Sequence, residues 1–365
     1  MTLSNFKMEH LEIPFKMAFS HASATRIMTD SVLVSVSANG NFGYGESCPR
    51  AYVTNETYES ALAFFKKYRA SLLESVSTLL TLKDWANNNR DDIDLNPAAW
   101  CAIELALLDL FSKEQNCSVE NLLQLPELAG DFSYTAVLGD SSISSFTKLL
   151  RQYHSMGFRD YKLKLSGELE HDKAKCDLVF KTIEKVRVRL DANNLWTKAD
   201  EVIEYIKALE HKFFAIEEPL TVGDYEGMTQ VSNKLGLRII LDESFLRFQQ
   251  FEIIKETPSN WIVNIRISKM GGLFRSINIT EMAKSIGIEC ILGAQVGETS
   301  ILTRSAITLA NSYRDVIIAQ EGGCGTYLLE HDICEPVLMF GKDGLISPNQ
   351  THSLLNSGFG LKVNI

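Results

Sequence analysis

The sequence predicts a closed (β/α)₈ barrel joined to a smaller α+β domain, and three observations support this fold class. The chain has 365 residues, whereas a barrel of this type takes roughly 250, which leaves around 100 for a second domain. From about residue 131, strand-like and helix-like stretches alternate, with eight strand candidates. The chain contains no GxGxxG motif, so a closed barrel is favoured over an open, doubly wound sheet.

The N-terminal part has a different pattern. Its first 45 residues alternate in the manner of strands, and the Asn39-Gly40 dipeptide between two apolar runs is a strong hairpin signal. Between Glu56 and Ser112, apolar residues recur three and four positions apart, which is typical of helices. Strands followed by helices suggest a separate α+β domain. We expect that domain over residues 1–125, the barrel over 126–325, and a C-terminal segment over 326–365 that packs back on the first domain.

The eight strand candidates of the barrel define where a site is expected. In chain order they are FSYTAVLG, YKLKLS, VRVRLDAN, FFAIEEPL, LRIILDES, WIVNIRIS, IECILGAQ and DVIIAQEG. Because the catalytic groups of such barrels lie at the C-terminal ends of the strands, the residues that end these eight segments are the first candidates.

Composition and charge exclude several classes of protein. The formal net charge of −10, without a long Lys/Arg run, argues against nucleic acid as a partner. No segment has the apolar length of a membrane span, and the N-terminus lacks the pattern of a signal peptide. The seven cysteines are scattered and form no CxxC pair. This usage is typical of reduced thiols, so we expect a cytoplasmic protein.

Three acidic residues end successive strands. Asp191 ends the third strand, Glu217 the fourth and Asp242 the fifth. A single acidic residue at a strand end is more often a helix N-cap or a loop carboxylate, but three in register after apolar runs are hard to assign to capping. Such an all-oxygen set predicts a site for a hard cation, Mg²⁺ with Mn²⁺ as the alternative.

Glu218 and Glu243 directly follow two of these carboxylates. Side chains alternate faces along a strand, so these two should point in a different direction from their neighbours. They are either groups that orient the metal ligands or a lysine, or solvated acids.

Lysines occur on two further strands. Lys162 and Lys164 lie two apart on the second strand and can share the inner face of the barrel. A neighbouring cation lowers the pKa of a lysine, which favours a neutral amine that acts as a base. The alternative is a pair of surface lysines on an edge strand. On the sixth strand Lys269 precedes Gly-Gly, and Arg266, three positions earlier, cannot share its strand face.

Together these residues predict one kind of chemistry. A divalent cation bound to a substrate carboxylate stabilises the enediolate that forms when the α-proton leaves. A lysine on one face removes that proton as a general base. A second lysine on the opposite face can return a proton, hold charge or protonate a leaving group.

The combination of Lys-x-Lys, the Asp/Glu/Asp ligands and Lys-x-Gly-Gly resembles the muconate-lactonizing subgroup of the enolase superfamily. Its members include muconate cycloisomerases, o-succinylbenzoate synthases, N-acylamino acid racemases and dipeptide epimerases. The resemblance covers nearly the whole chain, including GYGES and PRAYVTNET in the first domain. It implies that this domain caps the barrel and that Lys164 and Lys269 are the acid/base pair. It also implies supporting roles for Lys162, Asn193, Glu243 and Glu298, and Mg²⁺ binding by Asp191, Glu217 and Asp242.

The same resemblance implies that loops of the capping domain and the ends of strands seven and eight select the substrate. The expected contacts are Phe19, Ser20, His21, Arg50, Tyr52, Glu321 and Cys324. Arg50 either pairs with a distal substrate carboxylate or faces solvent, and His21 is either a contact or a polar loop residue. Dipeptide epimerases typically carry an acidic pair on strand eight, where this chain has Gly322 and Cys324. This departure counts against a standard dipeptide epimerase.

The leading hypothesis is therefore an isomerase that racemises or epimerises an N-acylamino acid, a dipeptide or a related small-molecule carboxylate. Cycloisomerisation or β-elimination, which needs one proton-transferring lysine, is the alternative and would make the enzyme a cycloisomerase or a lyase. A non-catalytic barrel is the hypothesis from a different class. No membrane partner is expected, and a homo-oligomer remains open.

Overall fold

The computed structural model describes residues 1–21, 24–348 and 352–365, with only the backbone described at 17–21, 24–25 and 352. The described residues of the N-terminal part form five strands and six helices. These are β1 (Ser4–Leu11), β2 (Pro14–His21), β3 (Ala24–Met28), β4 (Ser31–Ala38), β5 (Asn41–Ser47), α1 (Ala51–Thr54), α2 (Tyr58–Ser75), α3 (Leu79–Asn88), α4 (Arg90–Leu95), α5 (Pro97–Glu114) and α6 (Val119–Leu122).

Strands β1, β4 and β5 form an antiparallel sheet, and β2 pairs with β3. The predicted Asn39-Gly40 turn joins β4 to β5, with both residues at positive φ, as a two-residue hairpin turn requires. Helix α5 packs on β4 and β5. A Cβ at Gly45 would lie 2.1 Å from the carbonyl oxygen of Ala102, so this close approach of strand and helix requires glycine.

The second part alternates strands and helices. Its elements are β6 (Phe132–Ser133), β7 (Ala136–Leu138), α7 (Ile143–Ser155), β8 (Asp160–Lys164), α8 (Leu169–Thr182), β9 (Arg187–Asp191), α9 (Ala199–Ala208), β10 (Ala215–Glu217), α10 (Tyr225–Leu235), β11 (Arg238–Leu241), α11 (Phe251–Ile254), β12 (Trp261–Ile265), α12 (Ile267–Met270), α13 (Leu273–Ile286), β13 (Glu289–Leu292), α14 (Ser300–Ser312) and β14 (Ile317–Gln320).

Strands β7 to β14 form one eight-stranded sheet in chain order, and every neighbouring pair is parallel. The backbone N–H of Thr135, beside β7, donates to the carbonyl of Gln320 in β14 at 2.7 Å, which links the first strand to the last. The predicted barrel is therefore present. Its interior is filled by a small apolar cluster of Ala215, Ile240, Ile262, Ile291 and Ala319.

This apolar layer explains why the polar residues beyond it face inward. Residues two apart on a strand share a face, so Glu217 follows Ala215 on the inner face of β10. Asn264 follows Ile262 in the same way on β12. The lower part of the barrel is thus an apolar plug, and the polar side chains lie at its C-terminal mouth.

The C-terminal segment returns to both earlier parts. Strand β15 (Cys334–Glu335) pairs with β17 (Lys362–Val363), and β16 (Leu345–Ile346) pairs with β6. Short 3₁₀ helices lie at Phe248–Gln250, Pro258–Asn260, Gly325–Tyr327, Lys342–Gly344 and His352–Leu355. The backbone of Val119 donates to Gly358, and that of Lys16 donates to Leu328.

All seven cysteines are free thiols. Within the described part of the chain, no helix combines the length and hydropathy needed to cross a membrane.

A buried ion pair joins the two larger parts. Arg304 in α14 and Glu120 in α6 are 0% and 1% exposed and form two N–O contacts, of 2.7 and 3.0 Å. The hydroxyl of Thr308 also donates to Glu120 at 2.8 Å. Each charge is therefore fully desolvated and depends on the other for compensation.

We expect E120Q to lower the free energy of unfolding by about 3–5 kcal/mol, because it leaves the Arg304 guanidinium buried without a counter-charge. Urea unfolding followed by circular dichroism measures the change. The matched control is E335Q, which removes one partner of the exposed pair with Lys362 and should change stability by less than about 1 kcal/mol. Equal effects of the two variants would contradict this account.

Candidate active site

A cavity lies at the C-terminal mouth of the barrel and encloses about 150 Å³, enough for a small organic molecule. Its charged lining comes from several strands and comprises Lys162, Lys164, Asp191, Glu243, Arg266 and Glu321, with Glu298 beside them. Tyr52, Asn193 and Cys324 line it as well. The site is therefore assembled from the ends of strands distributed around the barrel.

The two lysines of β8 share the inner face and contact the same carboxylate. Lys162 Nζ and Lys164 Nζ each lie 3.1 Å from Asp191 Oδ2. Their side chains are 3% and 13% exposed, respectively, so the alternative of surface lysines does not hold. Lys164 Nζ also donates to Asn193 Oδ1 at 2.8 Å, which orients the amine toward the cavity.

Lys162 is the more deeply embedded of the two. Besides Asp191 it contacts Glu217 Oε2 at 2.8 Å and Glu321 Oε1 at 3.3 Å. Burial opposes its charge, but these three carboxylates together raise the pKa of Lys162 above its ordinary value. Lys162 is thus a fixed cation beside Lys164, which is consistent with the proposed supporting role.

The three predicted metal ligands end adjacent strands. Asp191 and Glu217 are register partners in β9 and β10, and Asp242 directly follows β11. All three are buried. Burial raises the pKa of Glu217 to about 8. It would also raise that of Asp191, but Lys162 and Lys164 hold the pKa of Asp191 below its ordinary value.

Cationic side chains contact these carboxylates. Among the residues that the structure describes, no three of Asp, Glu, His or Cys are grouped closely enough to hold a metal as they stand. Lys162 lies between Asp191 and Glu217, while Asp242 binds Lys269 Nζ and Arg266 Nη2. The donor set nevertheless fits a hard divalent cation by its chemistry, since it is all oxygen.

The two glutamates that follow these ligands have different surroundings. Glu218 accepts hydrogen bonds from the backbone of Asp242 at 2.6 Å and of Ser244 at 2.8 Å, and from the Ser244 hydroxyl. It therefore fixes the loop after β11 and is not a solvated acid. Glu243 lines the cavity. Burial, with the nearby charge of Asp242, raises its pKa to about 8.

Lys269, the second predicted acid/base residue, is not among the residues that line the cavity, and neither are Glu217 and Asp242. The strand ends at Ile265, and Lys269 lies in the short helix α12. Its Nζ donates to the carbonyl of Asp242 at 2.8 Å, to Asp242 Oδ1 at 2.8 Å and to the carbonyl of Asn264 at 2.7 Å. All three N–H groups of the Lys269 ammonium therefore donate to protein oxygens.

Arg266 lines the cavity instead. It lies two positions beyond Asn264, which continues the inward-facing alternation of β12. Its Nη1 donates to Gln295 Oε1 at 3.1 Å, and its Nη2 bonds to Asp242 Oδ2. The sequence did not predict that Arg266 and Gln295 line the cavity, or that Arg189 binds Glu321. Counting alternate positions from Ile262, a member of the apolar cluster inside the barrel, would have indicated Arg266.

The predicted substrate contacts have mixed outcomes. Phe19, Ser20 and His21 lie in the backbone of β2, but their side chains fall outside what the structure describes. Tyr52 lines the cavity. Arg50 does not: it is 1% exposed and donates to the carbonyls of Asp30, Pro49 and Val296. Neither the distal-carboxylate role nor the solvent-facing alternative matches these contacts.

The end of β14 contributes Glu321 and Cys324. Glu321 accepts a hydrogen bond from Arg189 Nη2 at 2.8 Å and contacts Lys162, so its charge is already matched inside the protein. Cys324 lines the cavity, and burial raises the pKa of its thiol to about 12. A thiol in this state is a packing group and not a nucleophile.

Comparison with known proteins gives matches along most of the chain. Residues 145–364 match the family described as "Enolase C-terminal domain-like". A hydrophobic dipeptide epimerase of Enterococcus faecalis is 25% identical over 316 residues, covering 84% of this chain and 86% of that protein. An N-succinyl-L-Arg/Lys racemase of Bacillus cereus is 22% identical over 317 residues, covering 86% and 85%.

A solved structure has the same fold. The crystal structure of a dipeptide epimerase from Enterococcus faecalis V583, complexed with Mg and the dipeptide L-Leu-L-Tyr, superposes with a TM-score of 0.84 at 23% identity. The alignment covers 99% of this chain and 100% of that one. The likeness establishes a barrel with an N-terminal domain over the whole chain.

The pH dependence of stability tests the environment of Glu298. Burial raises the pKa of Glu298 from its ordinary value of 4.5 to about 7, although the backbone N–H of Gln295 donates to it. Between these values the folded protein retains a proton that the unfolded chain has lost, so the free energy of unfolding falls as pH rises.

In E298Q, whose side chain stays neutral, we expect this fall between pH 5 and 7 to be shallower by up to about 1 kcal/mol per pH unit. Urea unfolding at pH 5, 6 and 7 measures the slopes. Parallel slopes for the wild type and E298Q would show that the carboxyl of Glu298 titrates normally.

Proposed function

The chain belongs to the enolase C-terminal domain-like family, and we propose that it is a Mg²⁺-dependent isomerase that removes the proton α to a substrate carboxylate through an enediolate. The observation that carries the proposal is the placement of Lys164 Nζ at the cavity, 3.1 Å from Asp191 and held by Asn193. The net reaction that we propose is racemisation or epimerisation of an N-acylamino acid, a dipeptide or a related carboxylate. The named activities of the relatives support this substrate class.

We propose that Asp191, Glu217 and Asp242 hold the Mg²⁺. Their oxygen donors, adjacent strands and burial support this assignment, as does the presence of Mg in a structural relative. When bound, the cation stabilises negative charge that develops on the substrate carboxylate.

The chain's own residues have separable roles in this proposal. Lys164 Nζ takes the α-proton as general base, and Asn193 fixes the direction of that amine. Lys162 remains charged next to it, because Asp191, Glu217 and Glu321 surround it. A permanent ammonium therefore lies next to the amine that takes the proton, and both contact Asp191.

Cycloisomerisation or β-elimination is the second candidate. The observation in its favour is that, among the described residues, the lysines lining the cavity all come from β8. Chiral chromatography of the recovered substrate distinguishes the two candidates. Net inversion supports racemisation or epimerisation, whereas a cyclised or unsaturated product supports the second candidate.

A non-catalytic barrel is the least supported reading. Burying Lys162 with three carboxylates costs several kcal/mol per ion in desolvation, which a scaffold could avoid with apolar side chains.

The free thiols support a proposed cytoplasmic location.

Deuterium exchange tests the proposed proton transfer. In D₂O with Mg²⁺, we expect the wild type to incorporate deuterium at the α-carbon of an N-acylamino acid or dipeptide, as measured by ¹H NMR. K164A should lower this rate by roughly 10²–10⁴-fold, the usual contribution of a general base. The control K198A removes a lysine that is 74% exposed and should leave the rate unchanged. The absence of incorporation across a panel of both substrate classes would refute the proposal.

Titration calorimetry tests the metal site without any substrate. We expect one Mg²⁺ to bind per chain, and E217Q to weaken the affinity by at least about tenfold, because it removes one of three charged ligands. The exposed Glu256 supplies the control, E256Q, which should bind Mg²⁺ like the wild type. An affinity unchanged in E217Q would place the cation elsewhere.

A further inference from the structure

The cavity has an amine on one side and a guanidinium on the other. Within the described cavity lining, the cationic residues are Lys162, Lys164 and Arg266. The lysines end the second strand of the barrel and Arg266 follows the sixth, so they approach the cavity from opposite sides of an eight-stranded ring. The two sides therefore differ in chemistry.

Strand alternation determines which residue of the sixth strand faces inward. Ile262 belongs to the apolar cluster inside the barrel. Asn264, two positions later, donates to Glu217 Oε1 at 3.2 Å, and Arg266 is the next residue on that face. Lys269 lies one helical turn beyond the strand, where its ammonium binds two carbonyls and Asp242.

Arg266 is held in place but retains an unused donor. Its Nη1 and Nη2 bond to Gln295 and Asp242, while Nε is buried and has no hydrogen-bond partner. The side chain is 13% exposed, and this exposed part borders the cavity. A substrate carboxylate is the kind of group that a guanidinium binds, and the part of Arg266 that can meet it is the exposed edge of the side chain, not the buried Nε.

A guanidinium and an amine differ in what they do with a proton. The arginine side chain stays protonated in proteins and neither accepts nor supplies a proton in the ordinary pH range, whereas a lysine amine does both. We propose that the two faces of this active site are unequal: Lys164 alone exchanges the α-proton, and Arg266 is a fixed cation that positions the negative charge of the substrate on the opposite face.

This inference rests on the proposed proton abstraction by Lys164. Of the two candidate net reactions it favours cycloisomerisation or β-elimination, because a single base returns the proton to the face from which it was removed and so does not invert the α-carbon. In that step the α C–H bond breaks, its electron pair passes into the carboxylate to form the enediolate, and the proton binds Lys164 Nζ. In D₂O the resulting ammonium exchanges its protons with solvent, and it returns a deuteron to the same face of the same carbon. The antipode whose α-hydrogen points toward Arg266 has no amine on that side, so its α-hydrogen exchanges slowly.

The test follows α-deuterium incorporation separately for the D and L forms of one N-acylamino acid. We expect wild-type protein to exchange one antipode at least roughly 100-fold faster than the other, because one face lacks a general base. R266K places an amine on the second face and should raise the slow antipode's initial rate at least about tenfold. The control R238K makes the same substitution at the opposite end of the barrel, beside Glu289, and should leave the ratio unchanged.

A second variant, R266Q, tests whether Arg266 binds the substrate or only stabilises the fold. R266Q should raise the substrate concentration needed for half-saturation by roughly tenfold or more, since a charged hydrogen bond to the substrate is lost, while the ratio between antipodes stays as in the wild type. Unchanged saturation would remove the positioning role.

The outcomes separate this inference from the function on which it rests. Equal exchange of both antipodes by the wild type overturns the inference and supports racemisation or epimerisation, while the proposed proton abstraction by Lys164 stands. Exchange of neither antipode, across the panel, overturns the proposed function and the inference with it. The wild-type ratio decides the matter even where R266K does not fold.

Discussion

Lys162 lies at the centre of the barrel mouth, with its Nζ within 3.3 Å of carboxylate oxygens from Asp191, Glu217 and Glu321. These three carboxylates end three different strands, and each is almost fully removed from water. Without an enclosed cation their mutual repulsion and desolvation would oppose closure of the barrel. A single ammonium group therefore stabilises the convergence of strands from opposite parts of the ring, and Arg189 extends the network to Asp160.

In the same network Lys164 contacts fewer carboxylates than Lys162 does. It shares Asp191 with Lys162 but has an uncharged second partner in Asn193, and it reaches the cavity. Two lysines two positions apart on one strand thus have different surroundings, one enclosed by carboxylates and one directed at the substrate space. Asp242 likewise binds two cations with different surroundings. Lys269 is not part of the cavity lining, whereas Arg266 is.

The sequence was most informative where a repeating geometry governs the side chains. Alternation along β8 predicted that Lys162 and Lys164 share a face, and the spacing of strand ends predicted that three carboxylates lie on adjacent strands. The strand-end position predicted for Lys269 was wrong, because the strand stops at Ile265 and the chain turns into helix α12, where the alternation no longer applies. Arg50 could not have been interpreted correctly either, because its carbonyl partner at Val296 is distant in sequence. Such contacts depend on tertiary packing, which no local pattern contains.

Arg50 also has a mechanical consequence. Its hydrogen bond to Val296, together with the bonds that Thr299 donates to Glu46, fastens the segment after β13 to the N-terminal domain on both sides of Gly297. That segment carries Gln295, whose side chain binds Arg266. The N-terminal domain therefore influences the orientation of the guanidinium through two hydrogen bonds, from Arg50 to Val296 and from Arg266 to Gln295, which the backbone between Gln295 and Val296 connects. A barrel separated from its N-terminal domain would keep strand β8 with its two lysines. It would lose the contact that fixes the loop carrying Gln295, and with it the hydrogen bond that orients Arg266.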